Sequence, residues 1–155
     1  MTLPPTWTLF GKDHIPHRLL LLARLIDRET SKQLYTQFSL TVAEWRVLAF
    51  VCTAGPASAS SVGAAFDADR AEISRAVGKL LSSAYIQRDN GPSHRRRMIL
   101  SPTPAGRAIH QRVRQVRRDY FDAILHDLDP DQRAAFDQGM NAIVERVGAM
   151  RSGDG

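Results

Sequence analysis

The sequence has little of what secreted, membrane-bound or catalytic chains carry. Its 155 residues include one cysteine, Cys52, so no disulfide framework forms within the chain and a reducing compartment is expected. Apolar runs such as residues 19–23 are far too short to cross a bilayer, which takes about 20 residues, so no membrane partner is expected. The first residues hold no basic region followed by an apolar stretch and a cleavage site, and a cytoplasmic protein is therefore expected. A nucleophile elbow, a phosphate loop, a Cys-x-x-Cys pair and an HExxH signature are all missing, which argues against an enzyme. His14 and His17 stand three apart, close enough to share a helix face, but no dense set of His, Asp or Glu accompanies them. Neither a metal nor another cofactor is expected.

What is present is a charge excess in one place. The net charge is only +5, and 43% hydrophobic with 24% charged residues is ordinary for a soluble globular chain. Residues 69–118, however, hold 12 Lys and Arg against 3 Asp and Glu, a net of +9, while the other 105 residues net −4. A solvated basic face is the plain reading of such an excess. Its concentration on a helix, a turn and the next helix favours a polyanion instead. Charge alone does not separate DNA from RNA or from an anionic membrane.

Residues 69–103 decide between them. Ile73, Val77, Leu80 and Leu81 recur at helical steps and share one face; Arg70, Ser74, Arg75 and Lys79 fall on the opposite one. Two β-prone runs follow, 85–88 and 98–100, separated by the turn residues Asn90-Gly91-Pro92. Helix, strand, basic turn and strand make the outline of a winged helix-turn-helix that binds double-stranded DNA. Ser74 and Arg75 are the candidates for base edges, and Arg70 and Lys79 for phosphates. Arg95, Arg96 and Arg97 lie in the basic turn, with Arg96 the candidate for a narrow minor groove. Glu72 either supports the start of the helix or accepts from a cytosine amino group.

The rest of the chain reads as helices around that module. An irregular arm, 1–13, carries Trp7 and Phe10 and is expected to pack on something. A first helix over 15 to about 38 has Ile15, Leu19, Leu22 and Ile26 on one stripe, widened by Leu20, Leu21 and Leu25. Thr41 and Glu44 form a capping box for a second helix, with Val42, Trp45, Leu48, Ala49 and Cys52 inward, ended by Gly55-Pro56. Ser58 caps a short third helix of small residues, 59–66, and Asp69 caps the fourth. Thr103-Pro104 opens a helix to about 128 whose other face carries Arg107, Arg112, Arg114, Arg117 and Arg118. Asp129-Pro130 opens a last helix, with 151–155 fraying. The fold expected is mainly α with a small β-wing: an arm and first dimerisation helix (1–38), a DNA-binding lobe (39–103) and C-terminal dimerisation helices (104–151), intertwined as one domain. So much apolar helix surface favours a homodimer reading a near-palindromic site.

Over 40–113 the chain resembles the multiple-antibiotic-resistance regulator (MarR) family of winged-helix transcription factors. The residues that carry the resemblance are Leu40-Thr41, Trp45-Arg46-Val47-Leu48, Gly55-Pro56, Asp69-Arg70, Ile73-Ser74-Arg75, Val77, Leu80, Arg95-Arg96 and residues 100–107 (LSPTPAGR). The resemblance implies a homodimer on a pseudo-palindromic operator, usually a repressor. It also implies release by a small aromatic carboxylate, a phenolic compound or an acyl-CoA thioester. His94 stands where the family usually has an aspartate that holds the wing arginine. A cationic cluster of His14, His17, Arg18 and Arg24, with Trp45 and Arg46, is the candidate effector site. Two alternatives stay open: an architectural DNA binder without effector, and a thiol-based oxidant sensor through Cys52, although that residue sits among apolar neighbours as a structural thiol would. Substituting Arg96→Ala is expected to weaken operator binding and to lower the slope of log K against log salt by about one. Fluorescence anisotropy over a salt series checks it, and unchanged slope and affinity would remove the wing from the interface.

Overall fold

Most helices begin where the sequence offers a side-chain acceptor for the free amides of a first turn. The computed structural model describes residues 3–11, 13–89 and 98–153. Helix α1 (Ile15–Phe38) starts on a proline in its first turn. Helix α2 (Val42–Thr53) has the full capping box: Thr41 Oγ1 accepts from the Glu44 amide at 3.2 Å, and the Glu44 carboxylate accepts from the Thr41 amide at 3.0 Å. Ser58 caps α3 (Ala59–Phe66). Asp69 caps α4 (Arg70–Ser82) by accepting from the amides of Ala71 and Glu72, both at 2.9 Å. Glu72 returns no bond to Asp69 among the described contacts. Thr103 accepts from the Gly106 amide at the head of α5 (Pro104–Ile124), and Asp129 with Gln132 forms a second capping box on α6 (Pro130–Ser152).

Three short strands complete the winged helix-turn-helix: β1 (Ala57–Ser58), β2 (Ile86–Asp89) and β3 (Ile99–Pro102), antiparallel in the order β1-β3-β2. Ile86 pairs with Pro102 and Asp89 with Ile99, so β2 and β3 bracket the turn. The turn itself, with His94, Arg95, Arg96 and Arg97, lies outside the described residues. Strand β1 is an addition to the sequence reading. Two residues have no periodicity to read, and they extend only because Ala57 and Ser58 face Leu100 and Ile99.

The chain divides into two compact units, 1–114 and 115–155. In the first, Leu34, Leu40, Val47, Leu48, Val51, Val62, Ile73, Ala76, Val77, Leu80, Ile86, Leu100, Ile109 and Val113 belong to one buried cluster. Each large side chain fully removed from water there contributes about 1.5–3 kcal/mol. Helix α2 buries Ala43, Glu44, Val47, Leu48 and Val51, whereas Val42, Trp45 and Cys52 only border the core. The inward face is rotated from the one read in the sequence because α2 is apolar on nearly every side, so spacing alone could not orient it. In the second unit α5 ends at Ile124, short of the expected 128. The Arg133 guanidinium takes the Leu125 carbonyl at 2.6 Å and the Leu128 carbonyl at 3.1 Å, holding a turn where the helix would have continued. Helix α6 stays regular to Ser152, past the expected fray point, and buries no residue in the single chain.

The end of α4 is fastened to the start of α5. Ala84 adopts the left-handed conformation (φ 56°), and the amides of Ala84 and Tyr85 return to the carbonyls of Leu81 and Leu80, both at 3.0 Å. Thr103 then donates its hydroxyl to the Ala84 carbonyl at 2.6 Å and its amide to the Tyr85 carbonyl at 3.1 Å. This brings Gly106 so close that a Cβ on it would overlap the Tyr85 carbonyl. Gly106→Ala is therefore expected to destabilise by about 1–3 kcal/mol, and Ala84→Gly to stabilise by about 1 kcal/mol by relieving the left-handed alanine. Urea unfolding of both variants checks the pair; midpoints equal to wild type would mean that the junction is not this tight.

Candidate nucleic-acid interface

Helix α4 is anchored by one face and offers the other. Ile73, Ala76, Val77 and Leu80 are buried, which fixes the rotation of the helix about its axis. Arg70, Ser74, Arg75 and Lys79 are all exposed, and their one-turn spacings (Arg70 with Ser74, Arg75 with Lys79) set them in adjacent rows. Asp69 stands next to Arg70, yet its carboxylate is taken up by the amides of Ala71 and Glu72. The preceding turn holds Asp67 in the left-handed conformation (φ 48°), with the Ala68 amide on the Gly63 carbonyl at 3.0 Å, so α3 ends and α4 starts within three residues. Among the described residues this is a short helix, a tight turn and a second helix with a basic, hydroxyl-bearing outer face. Such a face can donate to phosphates and base edges.

The residues expected to form an effector site have separate surroundings. Phe10 meets His17 edge-on at 4.6 Å between ring centroids and His14 at 5.6 Å, and the Arg18 guanidinium lies 6.0 Å from the Trp7 ring. His14, His17 and Arg18 thus share the junction of the arm with α1. Arg24 is exposed further along α1. Arg46 lies over Phe66 of α3 at 5.8 Å, within the helix-turn-helix. Trp45 stacks on His110 of α5, with centroids 5.3 Å apart and planes at 21°.

His110 was not singled out from the sequence. It is 5% exposed, and its Nε2 has no hydrogen-bond partner among the described residues. Burial pushes its pKa below the ordinary value, with Arg114 and then Arg107 adding to the effect, so the imidazole is neutral at pH 7. Arg107 also faces the half-buried Cys52, whose thiol is pushed up by burial and only partly drawn back by that guanidinium. A buried ring with an unpartnered nitrogen, stacked on an indole and close to the exposed Arg107 and Arg114, is thus a polar group set into the apolar interior beside α5. The signal in the sequence was faint: His110 is one step from Ile109 in the buried stripe of α5.

A profile of the MarR family matches residues 38–97. A Thauera aromatica protein, named as a candidate transcriptional regulatory protein for the hcr operon, is 30% identical over 105 residues. The match covers 66% of this chain and 63% of that relative, so the chain spans less than two thirds of its length. Among solved structures, wild-type MarR from E. coli in its apo form superposes with a TM-score of 0.72 at 17% identity, covering 92% of this chain and 98% of that one. FabT from Streptococcus pneumoniae, crystallised in complex with DNA, gives 0.75 at 16% identity, over 88% and 96%. At these identities the structural likeness is one of fold.

The lowered pKa of His110 has a pH signature. Above the ordinary value of 6.5 the ring is neutral in both folded and unfolded chains, and the stability it confers is fully present. As pH falls below 6.5 the unfolded chain takes up a proton that the folded chain resists. Stability is lost until pH passes the folded value, by about 1.4 kcal/mol for each unit that separates the two. Urea unfolding between pH 7.5 and pH 5 is expected to show this loss in wild type and a shallower one in His110→Phe; parallel curves would contradict it.

Proposed function

The chain belongs to the MarR family, and from that premise we propose that it is a homodimeric transcriptional regulator that binds a pseudo-palindromic operator through α4, most often to repress. The exposed face of Arg70, Ser74, Arg75 and Lys79 on a helix pinned by its opposite side carries this reading. A protein of the same fold crystallised on DNA supports it, as does a 30% identical relative named for operon regulation. Single-chain exposure of Leu20 and Leu25 on α1, and of Val144, Val147 and Met150 on α6, supports dimerisation, because patches of that kind are costly in water. Twofold symmetry would set two α4 helices about 34–36 Å apart, one turn of duplex.

An effector of the aromatic-carboxylate, phenolic or acyl-CoA class would act beside the Trp45–His110 stack, where the exposed Arg107 and Arg114 can donate to a carboxylate. Binding would shift the population toward dimers whose two α4 helices no longer match the half-site spacing. The raised Cys52 thiol works against the oxidant-sensor alternative, which needs an exposed thiolate.

Selecting duplexes from a random pool and competing the winner against bulk DNA tests the regulator reading. A preference of about 10³-fold or more is expected, whereas an architectural binder would show none. With that duplex, Arg75→Ala is expected to cost about 1–3 kcal/mol and to relax selectivity at one base pair per half-site. Loss of affinity spread evenly over all sequences would move Arg75 to a phosphate.

A further inference from the structure

Between α3 and the first turns of α4 lies a cleft of about 470 Å³, with Ser60, Gly63 and Ala64 on the α3 side and Arg70, Ile73 and Ser74 on the other. Two of its lining residues belong to the face read above as DNA-binding. Ser60 sits in the first turn of α3, where the helix dipole favours negative charge. Its neighbours Ser58 and Ser61 bond each other, through Ser58 Oγ to the Ser61 amide at 3.1 Å and to the Ser61 hydroxyl at 2.8 Å, whereas the Ser60 hydroxyl has no partner among the described residues. Arg70 likewise has neither ion pair nor hydrogen bond among them.

Gly63 gives the cleft its depth. A Cβ there would meet only the Ala68 carbonyl oxygen at 3.8 Å and Ile73 Cγ1 at 3.9 Å, both ordinary contacts. The position is mid-helix, where glycine costs up to about 1 kcal/mol relative to alanine, and no packing contact demands it. What glycine preserves is open space on the wall of the cleft beside Ala68 and Ile73.

We propose that this cleft seats one backbone phosphate and its sugar from the bound duplex, with the Ser60 hydroxyl and the Arg70 guanidinium as donors. The proposal rests on the DNA-binding reading and adds α3 to the interface. The small side chains of the walls receive the C–H faces of the sugar. Arg70 supplies the charge, and Ser60 fixes which phosphate is held, so the cleft sets how deep and at what angle α4 enters the major groove.

The test uses the full chain and the selected duplex, measured by anisotropy, with a neutral methylphosphonate placed at each backbone position in turn. Wild type is expected to lose about tenfold in affinity at a few positions per half-site, one of them the phosphate seated in the cleft. Ser60→Ala and Gly63→Leu are each expected to bind the unmodified duplex several-fold to tenfold more weakly and to lose much of their response at that same position. Gly63→Ala, melted beside Gly63→Leu, reports whether the helix tolerates substitution, and Ser60→Ala decides the question if Gly63→Leu does not fold. Wild-type affinity in a folded Gly63→Leu, or an unchanged methylphosphonate profile in Ser60→Ala, overturns the cleft while leaving the DNA-binding reading standing. If wild type selects no duplex at all, that reading falls and the cleft falls with it.

Discussion

The burial of one stripe of α4 is the constraint on which the rest depends. Ile73, Ala76, Val77 and Leu80 reach water only at the cost of the core they share with α2, β2 and β3. A helix held along four such positions cannot rotate about its axis without exposing them. The outward direction of Arg70, Ser74, Arg75 and Lys79 is thus set by apolar packing, and no polar contact has to aim them. Exposed charge and buried apolar packing are separated onto two faces of one helix. Charge changes on the outer face leave the core alone, and core changes re-aim the outer face.

Orientation is then passed along the chain through short, over-determined joints. Asp67 and Ala84, both left-handed, close the helices before and after the turn into α4 and out of it. Thr103 binds the carbonyls of Ala84 and Tyr85 while capping α5. Gly106 removes the side chain that would hold the two segments apart. His110 follows Gly106 by one helical turn, so the ring stacked on Trp45 and the exit from α4 are fixed to the same stretch of α5. Any displacement of α5 at His110 acts on a segment already bonded to the end of α4. No chain of remote contacts is required to link the two.

How much of this the sequence disclosed follows from how local each feature is. Caps are local: Thr41, Ser58, Asp69, Thr103 and Asp129 each stand next to what they cap, and all five were readable. The amphipathic α4 was readable for the same reason, since a charged and an apolar face cannot be exchanged. Helix α2 was not, because its apolar residues surround it and only contact with α4 and β3 selects Val47 and Val51 as the buried pair. Strand β1 has no pattern of its own, and the end of α5 depends on a guanidinium eight residues away. His110 is the clearest omission. One buried histidine in a hydrophobic stripe has no spacing to read, and what marks it, a stack on Trp45 and an orphaned nitrogen, exists only after folding. The effector cluster proposed from residue types joined His14, His17 and Arg18 to Trp45 and Arg46, to which the fold gives different neighbours.

The basic excess of residues 69–118 resolves into two kinds of charge. On α5, Arg112 lies over Phe38 at 5.5 Å and Arg117 over Phe121 at 5.7 Å, while Arg107 and Arg114 act on His110. The Arg112 and Arg117 guanidiniums are engaged by aromatic rings of the chain itself, and contacts of that kind contribute about 0.5–1 kcal/mol at exposed sites. On α4, by contrast, Arg70, Arg75 and Lys79 have no ring or carboxylate partner among the described residues. A cation with an internal partner must give up that contact to meet a phosphate; one without loses only water. The same formal charge therefore favours a polyanion more strongly on α4 than on α5. Counting arginines along the sequence weighs these unequal charges alike, and among the described residues the fold leaves the cations of α4 exposed and without an internal partner.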